Sequence, residues 1–368
     1  MKPDVAVAIS GGVDSLMAAF ILKKKFSQVL GLHFIHGYEP KPILPADWPA
    51  RPFNSSDPAI RISDLPAAHP LQAIARQLDI PIRLVDCRTP FKETVVDYFI
   101  KSYQLGRTPN PCLICNAKIK FGILYEMAGQ MGASFFATGH YARIVEKQAH
   151  SYLLKKGRDP KKDQSYFLAF LPPDILSRIC FPLGDMTKDQ VKESADFYGL
   201  VPVSKKESQD VCFIPDNDNA GFLGAQEKMT PSPGPITNIK GQILGTHNGL
   251  HCFTIGQRRG INCPAKEPYY VLRIDTKENR LIVGSKKELY APSLTVEHIN
   301  WFIPVPDAAI DVFVKIRYRH QPAEATLLPQ TNDTATIYFK TPQPAVTPGQ
   351  GAVCYVNDEV IAGGFIHD

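Results

Sequence analysis

The strongest constraint on the fold lies in the first twenty-odd residues. A β-rich apolar run, Val5-Ala-Val-Ala-Ile9, stops at Ser10-Gly-Gly-Val-Asp-Ser15, and a helix-forming run from Leu16 to Lys23 starts directly afterwards. This is a buried strand feeding a helix through a glycine turn, the junction at which α/β proteins hold phosphates. Gly11 and Gly12 have no Cβ, so the backbone can tighten and bring its N–H groups onto an anion. Ser10 and Ser15 add hydroxyl donors, and the helix dipole favours negative charge at the loop. Asp14 does not suit a simple phosphate cradle, because it repels anions unless Mg²⁺ or the helix N–H groups occupy it. The loop has no lysine where a nucleotide-hydrolysing P-loop needs one, and its spacing is not the dinucleotide fingerprint. An ordinary strand–turn–helix junction, capped by Asp or Ser, would use the same residue types.

The hexapeptide resembles the PP-loop of ATP pyrophosphatases, which cleave ATP between the α- and β-phosphates and adenylate a substrate oxygen. The following chain fits such a domain. Val29–Ile35, Ile80–Asp86 and Ser134–Gly139 read as further strands, and His69–Leu78 and Phe91–Leu105 as helices. Strands alternating with helices predict an α/β, doubly wound parallel sheet with ligands at the carboxyl ends of its strands. Both Ser10–Ser15 and Gly139-His140 fall at such ends. Residues 37–66, rich in proline and containing Trp48 and Phe53, show little periodicity and read as a lid or a surface excursion.

At 368 residues, two or three domains are expected. Helices within Pro173–Tyr198 give way to glycine-rich, turn-rich sequence from about residue 207, and beyond Pro292 to short alternating strands. Val312–Arg319, Ala335–Phe339 and Ala352–Val356 are among them. The expected division is a catalytic PP-loop domain over 1–206, a β-rich central domain over 207–287 and a β-barrel over 288–368. No apolar run approaches the roughly 20 residues that span a bilayer. Met1-Lys-Pro-Asp4 leads straight into the first strand, so a cytoplasmic protein with no membrane partner is expected. The formal charge of +5 points weakly to nucleic acid.

Eight cysteines in such a chain are not a disulfide framework. Cys112 and Cys115 form a Cys-X-X-Cys within Gly106–Asn116, and Cys212 lies in Glu207–Pro215. The pair alone is ambiguous between zinc, iron–sulfur and redox chemistry, and a four-ligand zinc site would want a second close pair. Cys87, Cys180, Cys252, Cys263 and Cys354 sit mainly in apolar contexts that suit core packing.

These segments, with Ala137–Arg143, Lys162–Leu168, Phe181–Gly184, Gly249–Gly260, Lys315–Arg319 and Pro348–Gln350, resemble the tRNA 2-thiouridylase family from end to end and in family order. That family replaces O2 of the wobble uridine with sulfur. The resemblance implies an ATP site, with Mg²⁺, made by Ala8, Ile9, Ser10, Gly11, Gly12, Val13, Asp14, Ser15, Phe34 and Gly139. It also implies that Cys212 carries sulfur as a persulfide and that Cys115 attacks it or supports sulfide release, leaving a Cys115–Cys212 disulfide. Asn110, Pro111 and Cys112 are implied to meet the target base. Lys162, Asp163, Gln164, His140, Arg317, Tyr318 and Gln350 are implied to touch tRNA at its anticodon arm. An upstream protein or sulfide would donate the sulfur. Lys118, Lys120, Lys205 and Lys206 are candidate cations for lowering thiol pKa.

Two features depart from the family pattern. Many members have Asp where this chain has Cys112, so three thiolates, Cys112, Cys115 and Cys212, could ligate a [4Fe–4S] cluster with one iron open to sulfide. Persulfide chemistry on two cysteines, with Cys112 spare, is the alternative. Phe34 stands where the family usually offers Met against adenine. Two other readings use the same loop: a PP-loop ligase acting on a small molecule, which needs neither paired cysteines nor a basic barrel, and a non-catalytic RNA-binding or redox-sensing protein.

Overall fold

The computed structural model describes residues 2–39, 43–44, 59–62, 65, 69–148, 151–203, 211–214, 216, 218–225, 232–264, 266–330 and 333–367. Most of the 37–66 segment, including Trp48 and Phe53, lies outside the described residues, as do Lys205, Lys206 and residues 207–210. The chain forms two compact units. The first comprises residues 1–94, 112–213 and 358–360, and the second comprises 95–111, 214–357 and 361–368.

The first unit is built on a six-stranded sheet. Its members are β1 (Val5–Ala8), β2 (Val29–Ile35), β3 (Ala59–Arg61), β4 (Ile82–Asp86), β5 (Phe135–Ala137) and, after a hairpin of β6 (Ala142–Gln148) and β7 (Ser151–Lys156), β8 (Ile179–Cys180). The order is β3-β4-β2-β1-β5-β8, with β1 parallel to both neighbours: Val5 pairs with Val29 on one side and with Phe135 on the other. Near-continuous apolar strands of this kind must be covered on both faces. Helix α1 (Val13–Lys25) buries Leu16, Met17, Ala18, Ala19 and Leu22 against the sheet core, and α2 (Pro70–Leu78) adds Leu71, Ile74 and Leu78. His69 caps α2, its Nδ1 accepting from the Leu71 N–H, while Pro70 opens the first turn.

Two elements of this unit escape a periodicity reading. β3 lies in the proline-rich stretch and pairs antiparallel with β4, burying Ala59 and Ile60. Three residues are too few to register a period of two. The segment after β4 is helical without a break but not uniformly α: Lys92–Val96 is π-helical between α-helical Arg88–Phe91 and Asp97–Gln104. The cysteine-bearing segment repeats this on a larger scale, with Pro111–Ile114 α-helical, Cys115–Leu124 π-helical and Tyr125–Gln130 α-helical.

The second unit contains a four-stranded sheet in the order Ile243–His247, Gly234–Thr237, Arg280–Gly284, Tyr270–Asp275, closed over Ile236, Val271, Leu281 and Val283. It also contains a six-stranded barrel. Tyr290–Trp301 pairs with Thr334–Pro344 on one side and Glu359–Ile366 on the other, and Ala323–Pro329, Ile310–Lys315 and Gly351–Val356 complete the circuit. Closure removes the exposed edges that a six-stranded sheet would otherwise present. The strand expected over Val312–Arg319 ends at Lys315 instead. Ile316 is buried, and the His320 N–H then bonds to the Arg317 carbonyl at 3.0 Å, closing a turn that contains Tyr318. Among the described residues, no helix is long and apolar enough to cross a membrane.

Candidate active site

The loop between β1 and α1 has the geometry its sequence demands. Gly11 takes φ of +88°, a conformation that L side chains rarely adopt. Ser15 Oγ donates to the Gly12 carbonyl at 2.9 Å and accepts from the Ser10 N–H at 3.2 Å, which folds the loop back over the helix start. The first N–H groups of α1 have no partners within the helix and face this turn. Gly139, at the end of β5, lies directly against the loop. A Cβ there would stand 2.8 Å from the Asp14 carbonyl carbon and 3.0 Å from the Ser15 nitrogen, both of them backbone atoms. Only glycine lets the two segments meet. Ala8 and Ile9 lead into the loop from β1, and Phe34 lies on β2 beside the rings of His36 and Phe91.

Asp14 is not left as a bare anion. Lys188 Nζ lies 2.8 Å from each of its carboxylate oxygens, and the Tyr141 hydroxyl donates to Oδ1 at 2.7 Å. Lys188 is 5% exposed. It is the first residue of the helix Lys188–Phe197, which Thr187 and Gln190 open with a reciprocal capping box. Its own N–H bonds to Asp159 Oδ2 at 2.9 Å. Sequence reasoning missed this lysine because it lies 174 residues from its partner. The readable signal was the Thr-Lys-Asp-Gln cap immediately after Phe181–Gly184.

From Gly139 the site continues to the thiols. His140 Nδ1 lies 2.7 Å from Thr138 Oγ1, and burial followed by the nearby Lys120 holds its imidazole well below the ordinary pKa. It is therefore a neutral ring, tilted against Phe121 and edge-on to Phe181. Lys120 also acts on Cys112, Cys115 and Cys212. In an α-helix, residue i+5 points about 140° away from residue i. In a π-helix the i→i+5 hydrogen bond sets it one turn above. The π-helical form of Cys115–Leu124 thus puts Lys120 on the Cys115 side of the segment, where its charge acts on that thiol.

The expectation of lowered thiol pKa values is not met. Burial pushes Cys115 up to about 12, with Lys120 opposing and the Cys212 and Cys112 charges adding. Burial, then Cys112, pushes Cys212 up to about 11, and Cys112 is raised by burial as well. Desolvation outweighs a single ammonium. Cys212 is nonetheless exposed at its surface, whereas Cys115 is buried. Its neighbour Phe213 is buried against Phe91 and Tyr38, with ring centroids 5.7 and 6.0 Å away, and this tethers the segment. Three thiols influence one another here, yet among the described residues no three His, Cys, Asp or Glu side chains are drawn together as ligands of one metal ion.

The remaining expected residues divide by unit. In the first, Asp163 is buried and accepts from the Gly157 and Ser165 N–H groups and the Ser165 hydroxyl, so it builds a turn. Gln164 Oε1 accepts from the Tyr141 N–H at 3.0 Å, while Lys162 is half-buried beside them. In the second unit, Gln350 donates to the Thr108 and Pro109 carbonyls at 2.9 and 3.1 Å, which fixes the loop leading to Asn110 and Pro111. Arg317 donates to the Pro344 carbonyl at 3.4 Å, and Lys315 lies over the Tyr318 ring.

The comparisons with known proteins bear on the whole chain. Residues 3–216 match the family model of a tRNA methyl transferase HUP domain, 222–285 that of a tRNA methyl transferase PRC-barrel domain, and 291–366 that of an aminomethyltransferase β-barrel domain. The tRNA-specific 2-thiouridylase MnmA of Desulfosudis oleivorans is 48% identical over 99% of this chain and 95% of its own length. The proteins of the same name from Geotalea uraniireducens and Syntrophotalea carbinolica are 40% and 41% identical, each over 98% of this chain and over 94% and 98% of their own lengths. The chain belongs to the tRNA-specific 2-thiouridylase family. Its HUP domain carries the phosphate loop and all three candidate thiols, while the two β domains follow in the order the family models give.

Proposed function

We propose that this protein is a tRNA-uridine 2-sulfurtransferase: ATP adenylates O2 of a uridine in the anticodon arm, and sulfur carried on Cys212 then replaces that oxygen. One observation carries the reading: Gly139 packs against Asp14 and Ser15 of the loop, and the next residue, His140, feels the same Lys120 charge that acts on Cys112, Cys115 and Cys212. A phosphate loop beside cysteines suits adenylation followed by sulfur attack, and methyl transfer, which the family model's description names, needs neither.

A uracil carbonyl is a poor electrophile with a poor leaving group. Attack of O2 on the α-phosphorus of ATP expels pyrophosphate and converts that oxygen into part of AMP. The backbone N–H groups of Ser10–Ser15 bind the phosphates, and Phe34 offers an apolar face to the adenine. Mg²⁺ would neutralise phosphate charge, and Asp14 is the loop carboxylate available to hold it. The terminal sulfur of a Cys212 persulfide attacks C2, and AMP leaves. Cys115 attacks the Cys212 sulfur of the resulting C2–S–S–Cys212 adduct, releasing 2-thiouridine and forming a Cys115–Cys212 disulfide. A two-electron reductant and a fresh sulfur donor reset the enzyme. Burial raises both resting thiols, and a persulfide is intrinsically a stronger acid than a thiol, so the persulfide is the more readily ionised nucleophile of the two.

We place sulfur on a Cys212 persulfide, a route that needs only Cys212 and Cys115, rather than on a [4Fe–4S] cluster held by Cys112, Cys115 and Cys212. The division of labour we propose is catalysis over 1–206, a connecting domain over 207–287 and tRNA contact over 288–368, in a cytoplasmic protein. Asn110, Pro111, Cys112, His140, Lys162, Arg317 and Tyr318 face tRNA in this reading, while Asp163, Gln164 and Gln350 hold the segments that do. The test is thiolation of unmodified tRNA with and without ATP. AMP and pyrophosphate should appear in step with 2-thiouridine, and ADP with orthophosphate would overturn the scheme. Iron and sulfide content of anaerobic protein decides the sulfur route: full activity without iron supports the persulfide.

A further inference from the structure

The phosphate loop has no cation of its own: Ser10, Gly11, Gly12, Val13, Asp14 and Ser15 sum to a single negative charge. ATP brings several more, and an unrelieved carboxylate would repel it. The fold answers this with one buried ammonium. Lys188 is 5% exposed, and its Nζ is 2.8 Å from both Asp14 oxygens. The residue is held in place from behind by the Asp159 bond to its backbone and by the Thr187–Gln190 cap. Burying an ion pair rarely improves stability over an apolar pair of equal volume, so its retention at a ligand loop calls for another role. The carboxylate side of the pair is the open side: Asp14 is about one-third exposed, while the Lys188 side chain is 6% exposed.

We propose that Lys188 is the phosphate-binding cation of the nucleotide site, kept beside the loop by Asp14 and Tyr141 and transferred to the phosphate oxygens of ATP when nucleotide enters. This rests on the loop being the ATP site. Asp14 then acts as a holding partner in the free protein, and the Tyr141 hydroxyl keeps it oriented once the ammonium has turned away. The position does in space what the lysine of a P-loop does in sequence, from a helix that begins 174 residues later. Charge-assisted contacts of this kind give selectivity for phosphate number, because each added phosphate meets the same cation.

The experiment measures equilibrium binding of adenosine, AMP and the α,β-methylene analogue of ATP to the full chain, before any tRNA is added. Wild-type protein should prefer the triphosphate analogue strongly over adenosine. Lys188→Met should lower affinity for the triphosphate by roughly 10- to 100-fold. Adenosine affinity should stay the same, and Lys188→Arg should restore most of the preference. An unchanged triphosphate-to-adenosine ratio in Lys188→Met would overturn the proposal and leave the lysine a structural partner of Asp14. If Lys188→Met does not fold, the neutral pair Asp14→Asn/Lys188→Met replaces it. Triphosphate binding clearly weaker than that of Asp14→Asn alone supports the cation's role, and affinity equal to that of Asp14→Asn refutes it. Failure of the underlying ATP-site reading looks different: wild-type protein itself would bind none of the three ligands.

Discussion

The phosphate loop and the thiol site occupy the same unit but are built on opposite principles. Ser10–Ser15 is assembled from contiguous residues that turn on their own backbone and on Ser15 Oγ, and only its surroundings, Gly139, Tyr141 and Lys188, come from far along the chain. The thiol site takes Cys112 and Cys115 from one helical segment, Cys212 from about a hundred residues later and Lys120 from a π-helical turn. Its chemistry depends on packing, since burial decides whether the sulfurs are ionised. The turn of a loop can therefore be written in six letters, whereas a nucleophile's acidity cannot.

The sharpest separation of the two comes from Cys115→Ala and Cys212→Ala. Each should lower thiolation by more than about 10³-fold while leaving binding of a triphosphate analogue unchanged. A parallel loss of nucleotide binding would merge the two sites into one cooperative structure. Cys112→Ala should retain much of the activity, and loss of activity together with iron would revive the cluster.

Gly139→Ala breaks the other side. Its new Cβ meets Asp14 backbone at 2.8 Å, where nothing flexible can yield, so a stability loss of about 1–3 kcal/mol is expected. Nucleotide affinity should fall with it, while alkylation rates of the cysteines in the folded protein stay as they were. Calorimetry with and without nucleotide, beside thiol labelling, reads both effects.

The pH dependence of thiol labelling probes the packing itself. Burial pushes Cys115 up to about 12, so its alkylation rate should keep rising tenfold per pH unit well past pH 9, and that of the more exposed Cys212 should level off earlier. A plateau near pH 8 would mean that the cation field wins over burial. Lys120→Met should slow labelling of both cysteines at a given pH by a few-fold, since the ammonium it removes opposes the upward shift. The smallest effect belongs to the second unit. Arg317→Ala should weaken tRNA binding modestly and reduce the salt slope by about one, and an unchanged slope would remove Arg317 from the phosphate contacts.

What was legible follows the same division. β1, β2, β4 and β5 announced themselves as apolar runs, and the barrel through its regular short strands. β3 and the β6–β7 hairpin were not seen, the first because three residues carry no periodicity. Lys188 was invisible because its partner is distant in sequence, although its capping box stood in plain view. Lys120 does not stand out from Lys118, Lys205 and Lys206 in the sequence, because α-helical periodicity would turn it away from Cys115. The direction of the thiol shifts is not legible in sequence, because a row of nearby lysines says nothing about burial.

The π-helical stretch Cys115–Leu124 has a consequence for length as well as for direction. Position i+5 in this wider coil occupies the place that i+4 takes in an ordinary α-helix, about 40° from residue i. The segment therefore reads as an α-helix that has absorbed an extra amino acid without losing the alignment of its sulfur and its ammonium. Removing one codon between Cys115 and Lys120, such as that of Ala117, would let the coil tighten and return the lysine to the same side. Moving the lysine by substitution to a neighbouring position at constant length would turn it away. In a scan of single-residue deletions, this is a place where shortening the chain should be gentler than rewriting it.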